Sequence, residues 1–303
     1  MPYDPRVTVF RPIHAELGEG VMWHPSRQSL FWIDITGKTV FETKPGQGET
    51  RSFKLDQMVT ALAPTAEGKL VAALHRGIYL LDPDTGVAVE HAVPKGLDFK
   101  TVRFNDGKCD PAGRFWAGTM PDKANTGHLY RIDAKDSITA VRDSISCSNG
   151  LAWTADAKTM YYIDSHTRCV QAFNFDVETG RLSRRRIAIR FTEQDGLPDG
   201  CTIDTEDRLW IAHWGGSKIT CWHPEPARLI DTLHLPVSQV TSCTFGGPNL
   251  DTLFITSASI GLNEAQKSAE PQAGFLFCAQ TGARGFLAQA FYAGRSGRPG
   301  SRP

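Results

Sequence analysis

The sequence predicts an all-β chain closed into a six-bladed β-propeller, and three observations carry that prediction. Similar segments recur along the 303 residues with a period of roughly 40 to 50. Each segment pairs short apolar runs with turns rich in Pro, Asp, Ala and Gly. Almost no stretch carries the 3.6-residue period of an amphipathic helix, and a β-sandwich, the rival all-β architecture, does not generate six similar units.

Taken in order, the first unit is GEGVMWHPSRQSLFWID from Gly18, and the second, weaker copy is VTALAPTAEGKLVAAL from Val59. The third is FNDGKCDPAGRFWAGT from Phe104, the fourth SNGLAWTADAKTMYYID from Ser148, and the fifth PDGCTIDTEDRLWIA from Pro198. A second weak copy, VTSCTFGGPNLDTLFITS from Val240, completes the set. A polar residue opens each clear unit, an apolar run follows, and a turn leads to a second strand with an aromatic pair or Leu-Trp. Third strands follow, as in GIYLLDPDTG from Gly77, HLYRIDAKD from His128 and VQAFNFDVETG from Val170. Six units of about four strands make one closed domain, expected over residues 1–294. The remainder, 295–303, reads as a flexible tail of Pro, Gly, Ser and Arg with nothing to bury.

The repeat also selects a site. The first strand of a propeller blade lines the central channel, so the polar residue opening it faces the channel mouth. Glu19 stands six places before Pro25, Asn105 before Pro111, Asn149 before Ala155 and Asp199 before Thr205, which makes the four equivalent. Carboxylates and carboxamides converging on one axis repel and desolvate one another unless a cation lies between them. Glu19, Asn149 and Asp199 offer two anionic oxygens and one amide oxygen. That hard donor set suits one divalent ion such as Ca²⁺, Mg²⁺ or Mn²⁺, and its low protein-ligand count admits Zn²⁺ or Fe²⁺ as well. Arg103, two residues from Asn105, lies on the same side of an extended segment and is placed to hydrogen-bond a carbonyl-bearing or polyhydroxylated ligand.

Composition excludes other classes of function. With 33 basic and 33 acidic side chains, the chain has no cationic face for a nucleic-acid partner. The cluster Arg184, Arg185 and Arg186 reads as a solvated strand or turn. No apolar run reaches the roughly 18 residues of a membrane span, and residues 1–11 lack the apolar core of a signal peptide, so a cytoplasmic protein is expected. The seven cysteines are widely spaced without C-x-x-C, and read as small buried hydrophobes rather than disulfides or thiolate zinc ligands. A monomer or weak homodimer is expected. His213 and Trp214 follow the second strand of the fifth unit and are assigned structural or rim roles. No G-x-S-x-G nucleophile motif occurs.

The motifs LGEG (17–20), RFNDGKCDPAGRFWAGTM (103–120), SNGLAW (148–153), FNFDVETG (173–180), LPDG (197–200) and SCTFGG (242–247) occur in order along almost the whole chain. In these the sequence resembles the SMP-30/gluconolactonase/regucalcin family of metal-dependent sugar lactonases. The resemblance implies a six-bladed propeller with a divalent metal on Glu19, Asn149 and Asp199, and substrate contacts from Arg103 and Asn105. Some family members carry a glutamate a few residues beyond the T-M of the third unit. Here the aligned residue is Lys123, beside Asp122, which departs from the pattern and leads to the expectation of a lactone with an anionic substituent. The implied reaction is hydrolysis of a sugar lactone to the aldonic acid, with Asp199 as general base. Two other functions remain open: a hydrolase of another ester class on the same scaffold, and a non-enzymatic calcium-binding or scaffold propeller.

Overall fold

The computed structural model describes residues 3–133 and 137–292; the boundary at 294 and the tail 295–303 lie outside the described residues. Six four-stranded antiparallel sheets follow one another around a ring, numbered here as blades 1 to 6. Their inner strands are Gly18–His24, Val59–Pro64, Val102–Cys109, Ser148–Trp153, Leu197–Ile203 and Val240–Gly246, each within two residues of where a repeat unit starts. Blade 6 contributes only three strands from the C-terminal part of the chain. Its fourth is Val7–Arg11, which pairs with Leu276–Gln280 and so locks the two ends of the ring together.

The apolar side chains form six clusters, one at each junction between neighbouring blades, including the junction of blade 6 with blade 1. Each sheet is therefore buried on both faces, which explains why the second strands read as unbroken apolar runs such as SLFWID and TMYYID. The turns after the inner strands of blades 3 and 5 are chemically identical. Asp110 accepts from Arg114 Nε at 2.6 Å and Trp116 Nε1 at 2.8 Å, and Asp204 accepts from Arg208 Nε at 2.7 Å and Trp210 Nε1 at 2.9 Å. The shared pattern D-x-x-x-R-x-W in DPAGRFW and DTEDRLW is this clamp written in sequence.

Arg184, Arg185 and Arg186 lie in the outermost strand of blade 4, Arg181–Arg190, as a partly solvated edge; Arg185 bonds Gln171 and Arg186 pairs with Glu225. All seven cysteines are free thiols; six are buried and Cys278 is half-buried. No helix among the described residues is long and apolar enough to cross a membrane.

Candidate functional site

Every inner strand breaks register with its neighbour at the same place. The shifts fall between Glu19 and Met22, Val59 and Ala61, Phe104 and Gly107, Asn149 and Leu151, Pro198 and Cys201, and Val240 and Ser242. A bulge bends the strand and re-aims the side chain beside it, and the six bulges in phase mark one equivalent position on each inner strand, held by Glu19, Thr60, Asn105, Asn149, Asp199 and Thr241. Three of these residues, Glu19, Asn149 and Asp199, precede a glycine, and at Gly150 and Gly200 adjacent inner strands nearly touch. A Cβ on Gly150 would stand 2.8 Å from the Asp199 carbonyl oxygen, and one on Gly200 would stand 2.7 Å from Ser242 Cβ. Beyond the ring the channel continues as a cavity of about 110 Å³, lined in part by Asp106, Lys108, Thr202 and Thr244 and bounded at its end by residues 286–289.

Within the ring the polar groups are organised by a directed chain of hydrogen bonds. Arg103 Nη1 donates to Asn105 Oδ1 at 2.5 Å and to the Phe104 carbonyl at 2.9 Å. Asn105 Nδ2 donates to the Ser148 carbonyl at 2.8 Å and to Asn149 Oδ1 at 3.0 Å. Asn149 Nδ2 in turn donates to Ser165 Oγ at 2.8 Å, and Ser165 Oγ donates to the Pro198 carbonyl at 2.6 Å. A carbonyl only accepts, so the two ends of the chain dictate every donor between them. Both N–H groups of Asn105 are consumed within the protein. What it can offer a ligand is the second lone pair of Oδ1, an acceptor for a hydroxyl.

The carboxyl groups are withdrawn from water and crowd one another. Withdrawal from water raises the Glu19 carboxyl to about 8, and the charge of Asp106 adds to the effect, with Arg103 opposing it. The Asp199 carboxyl is raised well above the usual range by burial first and by Glu19 and Asp106 next. Burial likewise raises Asp106, with Lys108 opposing it, and lowers the Arg103 guanidinium, with the carboxyl groups of Glu19 and Asp199 opposing. Arg103 acts on Glu19 and Asp199, and Lys108 acts on Asp106, so two cations stand against three carboxyl groups. Carboxylates enclosed this way relax if a divalent cation binds between them, and the remaining lone pair of Asn149 Oδ1 completes an all-oxygen donor set. On those grounds the residues fit a hard divalent ion.

The structure therefore brings Glu19, Arg103, Asn105, Asn149 and Asp199 together. Lys123 makes none of these hydrogen bonds and lies three residues beyond Met120, whose thioether meets Arg103. That residue is exposed in the turn after Phe115–Pro121, where its carbonyl accepts from Thr126 Oγ1 at 2.7 Å. His213 is fully buried inside blade 5 with Nε2 2.7 Å from Thr220 Oγ1, and burial lowers its pKa to about 3, so it is a neutral packing residue. Trp214, half-buried, bridges to Gln239 before the inner strand of blade 6.

Sequence reasoning missed the residues behind the ring. Asp34 accepts from the backbone N–H groups of Glu16 and Leu17 at 2.9 and 3.1 Å, just ahead of Glu19. Asp164 does the same for Ser146 and Cys147 at 3.1 and 2.9 Å, just ahead of Asn149. The signal was present in the aspartate that ends both FWID and YYID. Met120 was also missed; its thioether accepts from Arg103 Nη2 at 3.3 Å.

Comparison with known proteins agrees with this architecture. Residues 17–259 match the family model described as SMP-30/Gluconolactonase/LRE-like region. A putative sugar lactone lactonase, YvrE, of Bacillus subtilis is 37% identical over 274 residues, covering 90% of this chain and 94% of its own. Regucalcin of Gallus gallus is 36% identical over 268 residues, covering 86% and 89%. Among solved structures, a calcium-binding protein, regucalcin, from Agrobacterium tumefaciens superposes with a TM-score of 0.90 at 28% identity, over 96% of this chain and 98% of that one. A luciferin-regenerating enzyme superposes at 0.88 with 34% identity, over 95% and 99%. By its repeats, its ring and these likenesses, the chain belongs to the SMP-30/gluconolactonase/LRE-like family.

Proposed function

We propose that this protein hydrolyses a sugar-derived lactone to its aldonic acid, using one divalent ion held by Glu19, Asn149 and Asp199. The observation that carries the reading is the ring of two carboxylates and a fixed carboxamide, Asn149 and Asp199 buried and Glu19 half-buried, with Arg103 beside it, in a family whose relatives bear lactonase names. An ion held there supplies Lewis acidity toward the lactone carbonyl and acidifies a nearby water.

The chain's own residues supply the rest. Asp199 is the general base, because its carboxylate accepts the proton of the attacking water, whereas the amide of Asn149 has no basic lone pair at neutral pH. Arg103 holds the ring of the substrate. Two of its five N–H groups are engaged by Phe104 and Asn105 and a third by Met120, which leaves Nε–H and one Nη2–H to point at a lactone oxygen. Asn105 braces Arg103 from one side and Asn149 from the other, and accepts from a substrate hydroxyl. Enclosure of the ring keeps bulk water from competing for these donors.

Relatives named regucalcin, and a neighbour described as calcium-binding, favour a second reading in which the ring stores an ion without turnover. The unspent N–H groups of Arg103 support catalysis instead, since ion storage has no use for a cation beside the ion. A pH-indicator screen of pentono-, hexono- and uronolactones, alongside aryl esters, on metal-stripped protein with single divalent ions restored separates the readings. Ion-dependent turnover of sugar lactones, lost in Asp199→Ala with the fold retained by circular dichroism, is the expected result. Ion binding without turnover of any lactone would overturn the proposal.

A further inference from the structure

The hydrogen-bond chain ends on a residue that no catalytic role requires. Ser165 opens a single 3-10 turn, Ser165–Thr167, immediately after the second strand of blade 4, and it is buried. Its hydroxyl has one hydrogen, and the Pro198 carbonyl 2.6 Å away takes it. What Ser165 Oγ presents to Asn149 is therefore a lone pair, and only the NH₂ end of the Asn149 amide can meet it at 2.8 Å. On the other side, Asn105 Nδ2 is tied to the Ser148 carbonyl, so it presents a hydrogen to Asn149 and only an oxygen can meet that. The carboxamide is held from both ends, and its oxygen is the end turned to the ring.

We propose that Ser165 is a positioning residue that holds the Asn149 oxygen toward the ring and thereby sets the protein's affinity for the divalent ion. The inference rests on the reading of the ring as a metal centre and not on the lactonase reading. An amide rotated by 180° would aim two N–H groups at the ion and meet Asn105 donor to donor. Without the Ser165 oxygen, the NH₂ group keeps only the Cys147 sulfur at 3.5 Å, a weak acceptor, and one side of the restraint is gone. The same hydroxyl ties blade 4 to Pro198, the residue before Asp199, so it also fixes the distance between two of the three ligand-bearing strands. A small hydroxyl in a turn anchored by Thr167 Oγ1 on the Asp164 carbonyl at 2.7 Å and by the Ser165 N–H on the Cys147 carbonyl at 3.0 Å has little freedom to do otherwise.

The test is calorimetric titration of metal-stripped protein with Ca²⁺ or Mn²⁺ alone, with no lactone present. Ser165→Ala is expected to weaken ion binding by roughly tenfold to a hundredfold, the scale for losing a group that orients a metal ligand. Ser165→Thr, which keeps the hydroxyl, is expected to bind within a few-fold of wild type. A double-mutant cycle with Asn149→Asp isolates orientation, because a carboxylate has an oxygen at either end. In that background the loss on Ser165→Ala is expected to shrink to a few-fold or less. Thermal unfolding of each ion-free variant reports the purely structural contribution. Equal affinities for wild type and Ser165→Ala, or an undiminished loss in the Asn149→Asp background, would overturn the role of Ser165. A wild-type protein that binds neither ion would overturn the metal centre itself, whereas absence of lactone turnover would leave this inference standing.

Discussion

Replacing Arg103 by Ala removes the guanidinium that hydrogen-bonds into the ring, and its expected effect follows from counting hydrogens. Of five guanidinium N–H groups, two bond Phe104 and Asn105 and one meets Met120 Sδ. One or both of the remaining two reach the lactone. A single charge-assisted hydrogen bond contributes about 1.5 to 3 kcal/mol, so kcat/KM on the best neutral lactone should fall by roughly tenfold to 150-fold. Ion affinity should not fall, because the guanidinium and the divalent ion carry like charges and removing one relieves the other. Arg103→Lys keeps the charge but loses the fork to Phe104 and Asn105, and should lie between wild type and Ala. The assay is pH-indicator hydrolysis at saturating ion, with calorimetric titration of the ion and thermal unfolding on the same preparations. Unchanged kcat/KM would refute the reasoning, and so would a loss fully accounted for by weaker ion binding.

Three further outcomes are expected. In ion-free protein the folded state holds protons on Glu19, Asp199 and Asp106 that the unfolded chain releases near the ordinary carboxyl range. The contribution of these groups is therefore most favourable below about pH 4.5 and declines as pH rises toward about 8, the value to which Glu19 is raised. Melting temperatures with chelator should show this decline relative to ion-saturated protein, and parallel profiles would count against the enclosed carboxyl ring. Asp110→Ala leaves the Arg114 guanidinium and Trp116 Nε1 without their buried acceptor, and should cost about 3 to 5 kcal/mol in denaturant unfolding while ion affinity of the folded protein is retained. Lys123→Glu tests recognition of a distal anion. The ratio of kcat/KM for an anionic over a neutral lactone should fall by roughly tenfold if Lys123 reads that anion, and an unchanged ratio assigns the exposed side chain to solvent.

The division between sequence and structure runs through particular residues. Blade number and the start of each inner strand were legible because each unit is a local pattern and six copies of one pattern vote on the same phase. For the same reason Glu19, Asn105, Asn149 and Asp199 could be named as one ring from their common distance to the following turn. The clamp of Asp110 was legible too, once DPAGRFW and DTEDRLW are aligned, since its partners lie within six residues. Closure was not. Val7–Arg11 pairs with Leu276–Gln280 across nearly the whole chain, and an edge strand carries no mark of which distant edge it will meet.

The orientation of the ring was decided by tertiary structure as well. Asn105 reads as a ligand-binding carboxamide in the motif RFNDGK, yet its two donors are taken by Ser148 and Asn149 from the next blade. Ser165 lies sixteen residues from Asn149 and thirty-three from Pro198, and only the packing of blade 4 on blade 5 joins all three. Lys123 aligns with a substrate-contacting position, and the turn after its strand leaves it exposed. Sequence period determines which side chains stand at the channel mouth, because strand alternation and blade repeat are properties of the chain. Which way each amide faces depends on whether its neighbours donate or accept. Part of each set comes from an adjacent blade, Ser148 and Asn149 meeting Asn105 and the Pro198 carbonyl taking the hydrogen of Ser165, so the donor balance exists only once the blades have packed.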